Sequence, residues 1–433
     1  MSEVYPTLTA LFTDIADAIR ETTGDNDLII ADDFPDLIRD RLEVAPPKPY
    51  LTFKSPSSFT LKVNDTTKHW DGTIEYSTDA STWTAWNGTT TLSSDTSGSK
   101  NVLYLRGTGN KKISGSNNYR WTLTGSDISC IGNIENLLDY ATVASGNHPT
   151  MARYCYQNMF SGCTSLTQAP ALPATTLAVG CYNGMFYNCT SLIKAPALPA
   201  TTLAESCYNG MFYGCTSLIK APALPATTLA KSCYNDMFRE CTSLIQAPAL
   251  PATTLVDLCY NNMFQGCTSL AQAPALPATT LAYRCYQYMF IDCTSLTKAP
   301  ALPATTLADR CYQHMFNGCT SLTQAPALPA TTLDIYCYSS MFQGCTSLTQ
   351  APALPATTLA DNCYQGMFSG CKYLKLSTTQ TGEYTVEYRI PTTGTGTTAS
   401  KALYNMFKST GGTFKGTPSI NTTYYLSNTN AII

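Results

Sequence analysis

Between Cys155 and Cys371 one 26-residue unit, C-Y-x-x-M-F-x-x-C-T-S-L-x-x-A-P-A-L-P-A-T-T-L-x-x-x, is written nine times almost without change. The leading cysteines are Cys155, Cys181, Cys207, Cys233, Cys259, Cys285, Cys311, Cys337 and Cys363, so the spacing never slips. A fixed period of about 20–50 residues marks a solenoid, a propeller or an array. Propeller blades need about 40–45 residues for four strands, which this unit lacks. It has room for one strand, one turn and a short helical segment, the coil of a leucine-rich solenoid. Such a coil cannot bury its apolar face alone, so it must stack on its neighbours and be capped at both ends.

In the second unit the apolar positions are Cys181, Met185, Phe186, Cys189, Leu192, Leu198 and Leu203. The spacing from Cys181 to Cys189 predicts two short helical turns with one buried face. Thr190 or Ser191 then turns the chain, and Leu192 to Ala195 reads as a short strand. Pro196 and Pro199 cannot donate to a ladder, so that strand ends near them. Stacked coils would align each Leu, Phe and Cys into internal columns. The nineteen cysteines are two per unit plus Cys130. Their C-x7-C spacing is not the close pairing that structural zinc uses, so no metal is expected. Reduced, buried thiols are the first reading, and disulfides within or between coils the second.

The run M-F-x-G-C-T-S-L-T, at Met159 to Thr167 and Met341 to Thr349, resembles the BspA-type leucine-rich repeat of bacterial surface and phage proteins. The likeness covers all nine units, about half the chain. It implies the solenoid scaffold and, as to activity, chiefly adhesion. The A-P-A-L-P-A-T-T segment makes these units longer than the commonest form of that repeat.

Residues 1–45 differ from the rest. Leu8, Leu11, Phe12, Ile15 and Ile19 share one helical face, with Thr7 as a cap and Gly24 as a stop. A second helix starts near Asp33–Pro35 and carries Leu37, Ile38 and Leu42. Eleven acidic residues against three arginines give this segment a charge of −8 in a chain of −3, so the remainder carries +5. Two helices this short cannot sustain a core and are expected to pack on copies of themselves or on another protein. Ile15 to Gly24 and Ile29 to Arg39 resemble the N-terminal segment of phage tail-associated proteins, which implies attachment to virion tail proteins through residues 1–45 and favours a trimer.

Residues 46–49 form a stiff proline-rich linker. Residues 50–130 alternate apolar and polar groups in short runs separated by Gly, Asn, Asp and Ser, predicting a small antiparallel β-sandwich. All four tryptophans, Trp70, Trp83, Trp86 and Trp121, fall there. They fit a core; Trp83 and Trp86 also fit a stacked sugar-binding platform. Residues 131–154 are expected to cap the solenoid, which runs over 155–376. Residues 377–433 are expected to hold a degenerate last coil, echoed in Leu403 to Phe407, and a C-terminal cap. The fold expected is therefore α+β: a leucine-rich-repeat-like solenoid of nine 26-residue coils, preceded by a small β-sandwich and an N-terminal helical hairpin.

Only 13% of residues are charged, which does not suit a nucleic-acid binder. The opening Met1 to Pro6 lacks the features of an export signal, and no apolar run is long enough to span a membrane. His69, His148 and His314 have no metal or triad partner at a telling spacing. No catalytic residue and no cofactor are expected.

Comparison of the nine units locates the candidate surface. Packing positions agree in all units; the differing ones are the pair after C-Y, the pair after M-F and the pair before the next Cys. Stacking would align these into one stripe with a contact-surface composition. The candidates are Tyr187, Tyr213, Arg239, Tyr283, Arg284, Tyr288, Ile291, Arg310, His314 and Tyr336. Neutral drift on a tolerant surface predicts the same clustering. The function expected is a phage tail fibre or tail-tip protein, assembled in host cytoplasm and binding a glycan or protein receptor on a bacterial surface. The alternative is a BspA-type adhesin on the bacterial cell surface.

Overall fold

The computed structural model describes residues 48–64, 70–94, 101–114, 120–390, 400–420 and 422–432. The helical hairpin expected over residues 1–45 lies outside them. Residues 49–433 form one compact unit.

The first part of that unit is built from β1 (Leu51–Ser55), β2 (Thr60–Val63), β3 (Thr73–Ser77) and β4 (Thr84–Ala85). It continues with β5 (Leu92–Ser93), β6 (Asn101–Thr108), β7 (Trp121–Thr124) and β8 (Ile128–Ile131). After it come α1 (Asn136–Ala144) and β9 (Leu166–Gln168). One sheet has the order β5-β2-β7 and the other β4-β3-β6-β1-β8-β9. Every pairing is antiparallel except β8 with β9, which is parallel. Gly107 on β6 has no side chain because a Cβ there would collide with the Leu137 carbonyl of α1.

That parallel pairing removes the boundary expected at residue 130. β9 belongs to the first coil, so the larger sheet runs from the β-region into the solenoid. The cores merge as well. Phe160 of the first coil lies 6.0 Å from Trp121 and 6.2 Å from Phe53, ring to ring. An isolated sandwich would leave the β8 edge of that sheet unpaired; the first coil covers it.

Within the coils the expected helical turns are replaced by a ribbon of tight turns. In the second unit the N–H groups of Cys181, Asn183, Met185, Tyr187 and Cys189 each donate to the carbonyl three residues earlier. Those of Tyr182, Gly184, Phe186 and Asn188 donate to Cys207, Asn209, Met211 and Tyr213 of the next coil. Half the donors thus close turns and half bind coil to coil, where an α-helix would spend all of them internally. The alternation needs left-handed backbone at every fourth residue: φ is +60° at Gly180, +59° at Gly184 and +55° at Asn188. The same three positions are left-handed in all nine units. A repeat of four residues turns the pairs Cys181-Tyr182 and Met185-Phe186 inward together, which 3.6 residues per turn would not sustain. The fold is accordingly not α+β in its described residues, where α1 is the single helix and strands and turns make up the rest.

The conserved strand is also shorter than expected. Most coils contribute only single-residue parallel bridges, such as Lys194 to Lys220 and Lys220 to Gln246, because the prolines that follow have no donor to extend them.

The internal columns are complete. Tyrosine rings from Tyr156 to Tyr364 stack at 5.5–5.9 Å. Phenylalanine rings from Phe160 to Phe368 stack at 5.6–5.8 Å. All of these rings are buried, including the tyrosines, whose hydroxyls disguise them as surface residues in the sequence. The nineteen cysteines are free and buried. The second cysteine of each unit donates its S–H to a backbone carbonyl of the preceding layer, as Cys189 does to Phe160 at 3.1 Å and Cys241 to Phe212 at 3.1 Å. That bond explains a thiol where another apolar group would leave the carbonyl less well satisfied.

The far end is closed by β10 (Gln350–Ala351), β11 (Leu376–Ser377), β12 (Tyr384–Arg389), β13 (Thr423–Ser427) and β14 (Ala431–Ile432). β13 lies between β11 and β12, and β14 pairs with β10. The degenerate coil is present but shifted by one residue from its expected alignment. Tyr364 donates to Ala402 and Phe368 to Met406, so Ala402 stands in the cysteine place and Leu403 in the tyrosine place. Phe407 stacks on Phe368 at 5.5 Å, and buried Tyr388 meets Phe407 edge-on at 6.3 Å.

Candidate functional site

The variable positions do not align into one stripe. They form three parallel columns along the turn ribbon, one for each variable pair; the first position of the pair after C-Y is buried at Asn261, Gln287 and Ser339, and the candidate residues fall into two clusters.

The first cluster spans the second to fourth coils. Tyr187 and Tyr213 stack at 4.6 Å. The Arg239 guanidinium continues the column 5.1 Å from the Tyr213 ring. Asp236 and Glu240 flank Arg239 at 3.4 and 3.7 Å, and the Tyr213 hydroxyl donates to Glu240 at 3.2 Å. Burial pushes the Asp236 carboxyl up despite the nearby Arg239.

The second cluster spans the fifth to seventh coils. Arg284 lies 4.8 Å from the Tyr283 ring, and Arg310 lies 4.7 Å from the Tyr336 ring while pairing with Asp309 at 2.7 Å. Tyr288 and His314 stack at 5.1 Å, and burial pushes the His314 pKa down, favouring the neutral ring. Ile291 is partly buried on this ribbon, in the column that carries Tyr187, Tyr213 and Arg239. Stacking a cation on a ring costs each side chain freedom but leaves both edges available to a partner.

Backbone conformation separates the candidates. Arg284, Tyr288, Arg310, His314 and Tyr336 all have φ between +54° and +60°; the matching positions of other coils are left-handed too and hold Gly, Asn and Ser, and also Tyr154, Asp236 and Leu258. Residues other than glycine and, to a lesser degree, asparagine or aspartate pay for that conformation, at about 1–2 kcal/mol each.

The two tryptophans of the alternative site part company. Trp86 is a core residue, 3% exposed, with its indole N–H donated to the Thr90 carbonyl at 2.9 Å. It cannot stack on a sugar. Trp83 is only partly buried. Arg106 covers one of its faces at 4.1 Å and Tyr50 lies 5.7 Å away. Tyr50, Tyr104, Arg106 and Tyr140 were not identifiable as a group beforehand, because strand pairing alone brings them together.

Among the remaining titratable groups, His148 pairs with the buried Glu135 at 2.7 Å, a contact thirteen residues apart that no motif signals. His69 lies outside the described residues. Among the described residues no group of three or more His, Cys, Asp or Glu side chains is placed to hold a metal ion, and no helix is long and apolar enough to cross a membrane.

The family model for the BspA type leucine rich repeat region matches residues 138–271 and 259–375, in six copies. A leucine-rich repeat protein from Bacteroides ovatus is 16% identical over 53% of this chain and 82% of its own, with a TM-score of 0.19; at that score the likeness carries no weight. No curated protein matches.

Proposed function

Because the chain belongs to the BspA-type leucine-rich repeat family, we propose that it is an adhesin-type surface-recognition protein whose turn ribbon presents the receptor-binding face. The observation that carries this is the placement of Arg284, Tyr288, Arg310 and Tyr336 in left-handed backbone. Drift on a tolerant surface would settle such positions toward glycine, asparagine or aspartate, which that backbone favours. Large cationic and aromatic side chains there lower stability, and aromatic and arginine side chains are the types that dominate contact energies.

Binding and stability should therefore move in opposite directions. Combining Arg284→Gly, Tyr288→Gly and Tyr336→Gly should leave stability unchanged or raise it by up to about 1 kcal/mol per site, read as a melting temperature at or above the parent's. The same variant should lose most of its adsorption to bacterial cells that retain the parent chain. Arg239→Ala and Ile291→Ala, added separately, test the other column. Adsorption equal to the parent's would remove the ribbon as receptor face.

The resemblance of Ile15 to Gly24 and Ile29 to Arg39 to tail-associated proteins supports one carrier, a phage tail fibre or tail-tip protein joined to the virion through residues 1–45. A bacterial cell-surface adhesin fits the family equally well. Genes for virion structural proteins beside the coding sequence would support the first; their absence leaves the second. Self-association through residues 1–45, as a trimer, belongs to the tail reading. A full-length chain sedimenting as a monomer at micromolar concentration would exclude it.

A further inference from the structure

A cavity of about 540 Å³ opens where the large sheet passes from the β-region into the first coil, far from the ribbon clusters in sequence. Its walls include Lys54, Ser55, Asn101, Val102, Asp127 and Thr167, contributed by or beside β1, β6, β8 and β9. The volume falls within the range of ligand sites, about 300–1,000 Å³. Six of its eight lining residues are polar types, one of them a cation and one an anion, while carbon makes up most of the surface they expose to it.

Internal hydrogen bonds occupy three of the donors of this lining. Ser55 Oγ donates to the Ser126 carbonyl at 2.6 Å, Asn101 Nδ2 to the Pro56 carbonyl at 3.0 Å, and Thr167 Oγ1 to the Ile128 carbonyl at 3.2 Å. Acceptor capacity remains at Asn101 Oδ1, Thr167 Oγ1 and the Asp127 carboxylate, opposed by the single Lys54 ammonium. A ligand rich in hydroxyl groups, each able to donate and accept, matches that supply. A strongly anionic ligand does not.

The neighbouring surface supplies rings. Val102 and Tyr104 are two residues apart on β6 and so share a face. Tyr104 meets Tyr50 edge-on at 5.1 Å, and Tyr50 lies 5.7 Å from Trp83. Trp83 is braced by Arg106, itself held by Glu75 at 2.7 Å and lying 4.5 Å from the Tyr140 ring. The rings are thus fixed before any ligand arrives, which lowers the ordering cost of binding.

We infer that this cavity and the adjoining Tyr104, Tyr50 and Trp83 rings bind a neutral oligosaccharide, with hydroxyls on the polar side chains of the cavity and the C–H face of a sugar ring against carbon surface or an aromatic side chain. The site is separate from the ribbon clusters and does not depend on their role.

The test is a binding titration of the full chain against a panel of neutral oligosaccharides built from glucose, mannose, galactose and N-acetylglucosamine, with sialylated oligosaccharides as the anionic comparison. Ser129→Trp fills the cavity, since Ser129 also lines it. Asp127→Asn removes a charged acceptor while keeping a residue suited to its φ of +48°. Each should weaken binding of a neutral member by about tenfold or more, with an unchanged melt, and Tyr104→Ala should do the same. The Arg284, Tyr288 and Tyr336 glycine variant should bind as the parent does. Failure of every neutral member at millimolar concentration overturns the inference. So does binding confined to the sialylated set, or neutral binding that Asp127→Asn and Ser129→Trp both leave intact.

Discussion

Raising the pH from 8 to about 10.5 under reducing conditions should unfold the whole array in one steep step. Nineteen cysteines are buried as free thiols, and burial pushes them up; Cys181, Cys215 and Cys233 reach about 12. In an unfolded chain the same thiols ionise near their ordinary value of about 8.5. The folded form therefore keeps its protons where the unfolded form has released them. Stability that is complete below the unfolded pKa is lost as pH rises toward the folded one. Each thiol contributes about 1.4 kcal/mol per pH unit over that window. Two per coil is about 3 kcal/mol per coil per unit, and coils gain stability only through their neighbours. A domain's net stability of about 5–15 kcal/mol is exhausted within roughly one pH unit. Buried tyrosines such as Tyr156 and Tyr182, also pushed up by burial, steepen the loss from about pH 10. Circular dichroism and thiolate absorbance, followed together, should change at the same pH. Thiols that titrate smoothly near their ordinary pKa while the dichroism stays constant would contradict the buried columns.

Leu244→Asp should unfold the middle of the array, while Ile245→Asp, one residue on, should be tolerated. Leu244 is fully buried in the leucine column between Leu218 and Leu270, and Ile245 is 60% exposed. Emptying such a leucine site costs about 2–5 kcal/mol. A carboxylate without a partner adds a desolvation cost of several kcal/mol more. An exposed substitution changes stability by about 0.5 kcal/mol or less. Because each coil contacts only its neighbours, damage in the fourth coil should expose the third and fifth to limited proteolysis first. Equal melting temperatures for the two variants would remove the column model.

The residues of the repeat made the stacking legible. Twenty-six residues returning with the same apolar positions can bury them only against their own counterparts, so the columns of Phe160, Cys163 and Leu166 followed from the period. Comparison of the units separated inside from outside only in part, since the variable Asn261, Gln287 and Ser339 are buried and the invariant Thr201 and Thr202 are exposed. The ribbon had a signal too: C-Y-x-x-M-F-x-x-C repeats its inward pairs every four residues, and glycine or asparagine recurs at the left-handed positions. A helical period fits the same short segment, and the deciding bonds lie outside it. Tyr182, Gly184 and Phe186 find their acceptors on the next coil, and those acceptors exist only once the coils have stacked. Tertiary structure also decided the join between β8 and β9, the burial of the tyrosine column, and the division of Trp86 into the core from Trp83 at the surface. Each depends on which strand edge or ring lies opposite, a partner tens of residues away. A period written along the chain determines what repeats; the long-range bonds between layers determine what backbone the repeat adopts.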